Sequence, residues 1–247
     1  MTQLSPASRT AAGTAGMGAP AVGVGVLIAT AVLCAALAMG LRNSAGLFLA
    51  PMTAAHAWTA SGFAFAIALQ VLLNGATQPL WGQLADRYGG RKVIMFGALL
   101  QAAAVTGMAF ADSLPLFTFF AGVVMGIAVS AAGMPIIIAS LTRLLPEEKR
   151  GRATGLGTAG SSFGQFLVVP IVQLAINGQG WQAALLLVAA LSLLMIPLAL
   201  PLNDNPATPM PGPQDERTAR QAVGQALRDP SFWYLSAGAF VCGLHVS

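Results

Sequence analysis

Apolar residues in this chain come in long runs. They show neither the two-residue alternation of a half-buried strand nor the single stripe of a surface helix. The runs cover about Ala21 to Pro51, Ala60 to Trp81, Val93 to Phe110, Leu114 to Leu141, Ala153 to Ile176 and Gln182 to Leu202. A helix needs about 20 predominantly apolar residues to cross a bilayer core, so each run is of spanning length. A seventh run opens at Ser231 and reaches Ser247. A membrane β-barrel would show segments of about ten residues with alternating polarity, and none is present. The pattern predicts an all-α polytopic membrane protein, with six spans and the start of a seventh.

Composition narrows the class. Of 247 residues, 56% are hydrophobic and only 8% are charged, against about 25% charged in an ordinary soluble domain. That excludes a soluble globular domain and a disordered chain. The isoelectric point near 9.7 would suit a nucleic-acid binder, but the basic residues sit between spans and form no soluble basic face, so no nucleic-acid partner is expected. Cys34 and Cys242 each lie inside an apolar run, without metal-ligand spacing and without the makings of a disulfide framework. No metal or cofactor is expected. Residues 1–20 are rich in small residues and carry one charge, Arg9, which reads as a disordered tail. The run that follows is too long for a signal peptide.

Charge sets the expected orientation. Eleven of the twelve Lys and Arg residues fall in the tail or in alternate connections, and the intervening connections carry none. By the positive-inside rule the N-terminus is cytoplasmic, in a plasma (inner) membrane. The segment 203–230 reads as a cytoplasmic linker. Its Asp215–Arg228 stretch has apolar residues at helical spacing, acids at its start and Arg228 at its end, as in an amphipathic helix on the membrane surface.

Arg42 is the twelfth basic residue and the only formal charge inside a span; all eight carboxylates lie in loops or at span ends. Amides add to it. Gln70, Asn74 and Gln78 form one stripe of span 2, and Ser161, Gln165 and Gln173 follow a slanting row of span 5. Such groups turn toward other helices or water. Spans 3 and 6 carry fewer polar residues (Gln101, Thr106 and Ser192) and are expected toward lipid. Gly122, Gly126 and Ser130 in span 4, with Gly160 and Gly164 in span 5, predict close helix packing. Gly160-Ser161-Ser162-Phe163-Gly164 also fits the G-x-S-x-G nucleophile motif, which needs a strand-to-helix turn; inside a membrane helix it predicts packing and no enzyme.

Between spans 2 and 3 the chain reads Gly82-Gln83-Leu84-Ala85-Asp86-Arg87-Tyr88-Gly89-Gly90-Arg91-Lys92. This loop resembles the G-x-x-x-D-R-x-G-x-R-K signature of the major facilitator superfamily. The resemblance implies a six-helix N-terminal bundle built as a 3+3 inverted repeat, with spans 1, 2, 4 and 5 toward a central cavity and 3 and 6 outside. It further implies that Gly82, Asp86, Arg87, Gly89, Arg91 and Lys92 form a cytoplasmic gate. A C-terminal six-helix half would complete the carrier.

Arg42-Asn43-Ser44-Ala45-Gly46-Leu47-Phe48-Leu49-Ala50-Pro51-Met52, with Phe232-Trp233 and Cys242-Gly243-Leu244-His245, resembles the monocarboxylate-porter and oxalate/formate-antiporter group. That implies a small organic anion as substrate. Arg42, Asn43, Gln70, Asn74, Gln165 and His245 are the candidate binding residues. Arg42 offers a planar fork for a carboxylate, or it snorkels to the outer interface. His245 is a proton carrier or a helix contact, and His56 is expected to be solvated in an outer loop. A drug/proton antiporter of the same superfamily and a non-transporting half-bundle are the alternatives. Against the first, span 5 lacks the Gly-Pro signature of that group.

Overall fold

The computed structural model describes residues 23–203, together with 228–230 and 233–234. Six helices are long and apolar enough to cross a membrane: α1 (Val24–His56), α2 (Ala60–Tyr88), α3 (Gly90–Ala109), α4 (Leu114–Leu144), α5 (Glu147–Gln179) and α6 (Trp181–Ala199). No strand occurs among the described residues. Apart from the few residues named above, the tail of 1–20, the amphipathic helix of 215–228 and the seventh span lie outside the described residues.

The helices outrun their apolar stretches, because hydropathy marks the edge of the hydrocarbon and not the last backbone hydrogen bond. α2 continues through Gly82-Gln83-Leu84-Ala85-Asp86-Arg87-Tyr88, and α3 begins at Gly90. The expected loop of 82–92 is therefore a single residue, Gly89, with φ of 90°. Gly180, with φ of 88°, makes the same one-residue turn between α5 and α6. A side chain at either place would be strained in this region of backbone space.

Those two turns occupy equivalent places in two three-helix repeats, α1–α3 and α4–α6. Packing follows the same exchange: α1 lies along α5 as α2 lies along α4, α1 touches α6 as α3 touches α4, and α3 pairs with α6. Small residues permit these approaches, as the sequence spacing predicts. A Cβ on Gly164 would strike the backbone of Ala36, one on Gly160 would strike Val32, and one on Gly126 would come within 2.8 Å of the Gln70 carbonyl oxygen.

Two helices are irregular. α1 tightens to a 3-10 segment over Ser44–Phe48. Pro51 follows it; its ring crowds the carbonyl four residues back and supplies no N–H. α4 carries a π segment over Phe119–Val124 and breaks at Ala132-Gly133, where a new helical segment starts at Met134 with Pro135 in its first turn.

Of the few polar residues on α3 and α6, Gln101 and Ser192 are buried and Thr106 is half-buried. Gln101 is 2% exposed and Ser192 is fully buried. The Ser192 hydroxyl donates to the Val188 carbonyl. A run with one or two polar residues gives no sign of which face it buries, and pairing of α3 with α6 decides it.

Candidate functional site

Arg42 sits far from both ends of α1. The helix continues fourteen residues past it to His56, or about 21 Å at 1.5 Å per residue. Asn74 lies fourteen residues after the start of α2 at Ala60, and Gln165 fourteen before the end of α5 at Gln179. Packing contacts set the register more closely: Gly160 meets Val32 and Gly164 meets Ala36, so Gln165 lies about a turn nearer the basic end than Arg42, whose neighbours Leu41 and Ser44 share a cavity with Gln70. The Ser130 hydroxyl of α4 donates to the Asn74 carbonyl at 3.0 Å.

Burial differs among these residues. Arg42 and Gln165 are half-buried and Asn43 is exposed. Gln70 and Asn74 are 7% and 8% exposed. Gln70 lines an interior cavity of about 20 Å³ together with Leu41, Ser44, Phe48, Phe63 and Met125. That is room for about one water and too little for a carboxylic acid. Gln78 is exposed at the far end of the stripe, and the Gln173 amide donates to Asn177 at 2.9 Å. Among the described residues, no carboxylate pairs with Arg42; the Asp86–Arg143 pair lies elsewhere. α1 and α5 touch at this depth, since a Cβ on Gly40 would fall 2.8 Å from the Gly164 carbonyl oxygen. His245 lies outside the described residues.

The signature residues form a second cluster, at the end of the bundle that carries the basic side chains. Arg143, near the end of α4, forms an ion pair with Asp86 of α2 and donates to the Ala85 carbonyl at 3.4 Å. Arg143 is 6% exposed and Asp86 62%. Arg87 stacks over the Tyr88 ring, Lys92 is exposed, and Gly82 faces open space. Arg150 closes the end of α4 by donating to the carbonyls of Thr142 and Leu145. Sequence reasoning missed Arg143 as the partner of Asp86. Its only sign was a base at the point where the span-4 apolar run stops.

At the opposite end, His56 corrects the expectation of a solvated loop residue. It ends α1 half-buried, stacked on Trp58 at 4.4 Å and edge-on to Trp181 at 5.4 Å. Phe117 and Phe63 extend the aromatic cluster. Ser161 of the G-x-S-x-G match is buried mid-helix and bonds to the Thr158 carbonyl, so it is no nucleophile elbow. No group of three or more His, Cys, Asp or Glu side chains stands ready for a metal among the described residues.

Two three-helix repeats, a half-buried arginine far from the helix ends and a charged cluster at one end make up a six-helix bundle of membrane-spanning length. The Major Facilitator Superfamily model matches residues 14–247, and the chain belongs to that family. It is 27% identical to rat (Rattus norvegicus) monocarboxylate transporter 13 over 225 residues, 90% of this chain and 52% of the relative. It is 30% identical to human (Homo sapiens) monocarboxylate transporter 11, over 83% of this chain and 44% of that protein. The oxalate:formate antiporter of Oxalobacter formigenes is 27% identical, over 85% and 50%. Among solved structures, the inward-open xylose transporter XylE from E. coli superposes with a TM-score of 0.62 at 19% identity, covering 72% of this chain and 48% of that one. The chain spans about half the length of the curated relatives it matches.

Proposed function

We propose that this chain is the N-terminal bundle of a secondary-active carrier for small organic anions of the monocarboxylate type, working by alternating access. The observation that carries the reading is the depth of Arg42: fourteen residues from the end of its helix, half-buried, and within about a turn of Gln70, Asn74 and Gln165 along the bundle. An arginine placed there is costly unless an anion uses it, and its fork suits a carboxylate. Asn43, Gln70, Asn74 and Gln165 supply neutral donors within about a turn of Arg42 along the bundle. The charge bias supports a cytoplasmic N-terminus, which puts the Asp86–Arg143 cluster on the cytoplasmic side as part of a gate formed by Gly82, Asp86, Arg87, Gly89, Arg91 and Lys92.

Anion binding to the purified complete carrier tests this. Arg42→Lys should weaken acetate, lactate or oxalate binding, because a point ammonium cannot reproduce two parallel hydrogen bonds. Arg42→Ala should abolish it, at a cost of about 2–5 kcal/mol. If the Ala variant keeps its affinity for every anion carried, the anion assignment fails.

A further inference from the structure

At the basic end of the bundle, a cleft of about 360 Å³ is lined by Val24, Gly25 and Ile28 of α1 and by Lys149, Arg152 and Leu156 of α5. We propose that this cleft holds the phosphate headgroup of an anionic phospholipid. Its volume falls within the range of about 300–1,000 Å³ in which small-molecule groups are held.

Its two cations stand three residues apart on one face of the first turns of α5. Both are exposed, and neither takes part in the ion pair of Arg143 with Asp86. Their neighbour Arg150 behaves differently, because its guanidinium is spent on the Thr142 and Leu145 carbonyls. Glu147 and Glu148 share the same turn of α5 but do not line the cleft. On the α1 side the cap residue is Gly23, with no side-chain capping hydrogen bond, and a Cβ on Gly25 would meet nothing within 4 Å. An anion can therefore reach the first turn of α1, where the helix dipole also favours it.

The remaining walls identify the source of the phosphate. Val24, Ile28 and Leu156 are apolar, and both helices enter the bilayer from this end. A lipid can seat its headgroup between Lys149 and Arg152 while its acyl chains follow the apolar wall. A free phosphate would leave that wall unused. Basic pockets between membrane helices recognise lipid headgroups in this way. The inference needs only that this end meets a membrane surface, and it does not depend on what the carrier transports.

Native mass spectrometry of the protein from nanodiscs of mixed phosphatidylglycerol and phosphatidylcholine tests it. One phosphatidylglycerol per chain should be retained through detergent exchange. Retention should fall about 25-fold in the Lys149→Gln, Arg152→Gln double variant, at about fivefold per charge. It should survive the charge-preserving pair Lys149→Arg, Arg152→Lys. Gly25→Glu, which has room for its side chain, should expel the lipid by placing a carboxylate in the cleft. Undiminished phosphatidylglycerol retention in the double Gln variant, or in Gly25→Glu, overturns the site. Inorganic phosphate or glycerol phosphate that competes the lipid off, and binds only when both cations are present, overturns the lipid as its occupant.

Discussion

Asp86→Ala and Arg143→Met remove the two halves of one ion pair, and the structure makes their costs unequal. Arg143 is 6% exposed and Asp86 62%. Breaking a fully buried pair from one side costs about 3–5 kcal/mol, and exposed pairs are worth about 0–1. This pair is half of each kind. Asp86→Ala deprives a buried guanidinium of its carboxylate, so a loss of about 2 kcal/mol is expected. Arg143→Met replaces the buried cation by an apolar chain of similar length and returns Asp86 to water, so the loss should stay below about 1 kcal/mol.

In the Arg143→Met background, Asp86→Ala should cost almost nothing, giving a coupling near 2 kcal/mol in a double-mutant cycle. For a protein of this size 2 kcal/mol is about 4–8 °C in Tm, readable by thermal unfolding in detergent and by reversible unfolding in mixed micelles. In the complete carrier, Asp86→Asn should slow transport more than it weakens substrate binding, since the pair acts on a conformational equilibrium. Equal costs for the two single variants, or no coupling, would refute the argument from asymmetric burial.

Three further outcomes are expected. Gly164→Ala, which drives a methyl into the Ala36 backbone, should destabilise by about 1–3 kcal/mol, whereas Gly155→Ala, with nothing within 4 Å, should be neutral or gain up to about 1 kcal/mol; thermal melts of the two variants compare them directly. Gln101→Met removes a buried amide nitrogen that has no hydrogen-bond partner at nearly constant volume, and should be neutral or stabilising in the same melts. Single cysteines at 83 and 148, both exposed positions at the basic end, should react with membrane-impermeant reagents from the cytoplasm only; labelling from outside would reverse the orientation.

The six spans and their small-residue contacts were legible because lipid imposes one crude requirement, an apolar run of sufficient length. Gly160 and Gly164 could be read as packing positions from spacing alone, and both meet α1. The ends of the helices were not legible. Gly82 through Tyr88 lie beyond the apolar run yet stay helical, since backbone hydrogen bonding continues where hydropathy stops.

The candidate residues could be picked out by type, and their places only in part. Arg42 stood out as a charge among apolar residues, but its distance from the helix end depended on α1 running on through the 3-10 segment and Pro51 to His56. Gln70 and Asn74 shared a stripe with Gln78, and the close approach of α4 through Gly126 buries the first two and leaves the third exposed. Contacts between distant segments, such as Asp86 with Arg143 or His56 with Trp181, leave no periodic trace in the chain.

The one-residue turns at Gly89 and Gly180 carry a mechanical consequence. A connection of a single residue gives a hairpin no slack, so α2 cannot slide along α3, nor α5 along α6, by the 5.4 Å of a helical turn without unwinding helix. Axial shear inside each repeat is thereby locked out at one end. What remains is tilting of each hairpin as a stiff lever, or rotation of the six helices as one block. An extra residue inserted beside either glycine would loosen that lever, which makes these two turns the least tolerant places on the bundle for an epitope tag or a fused domain.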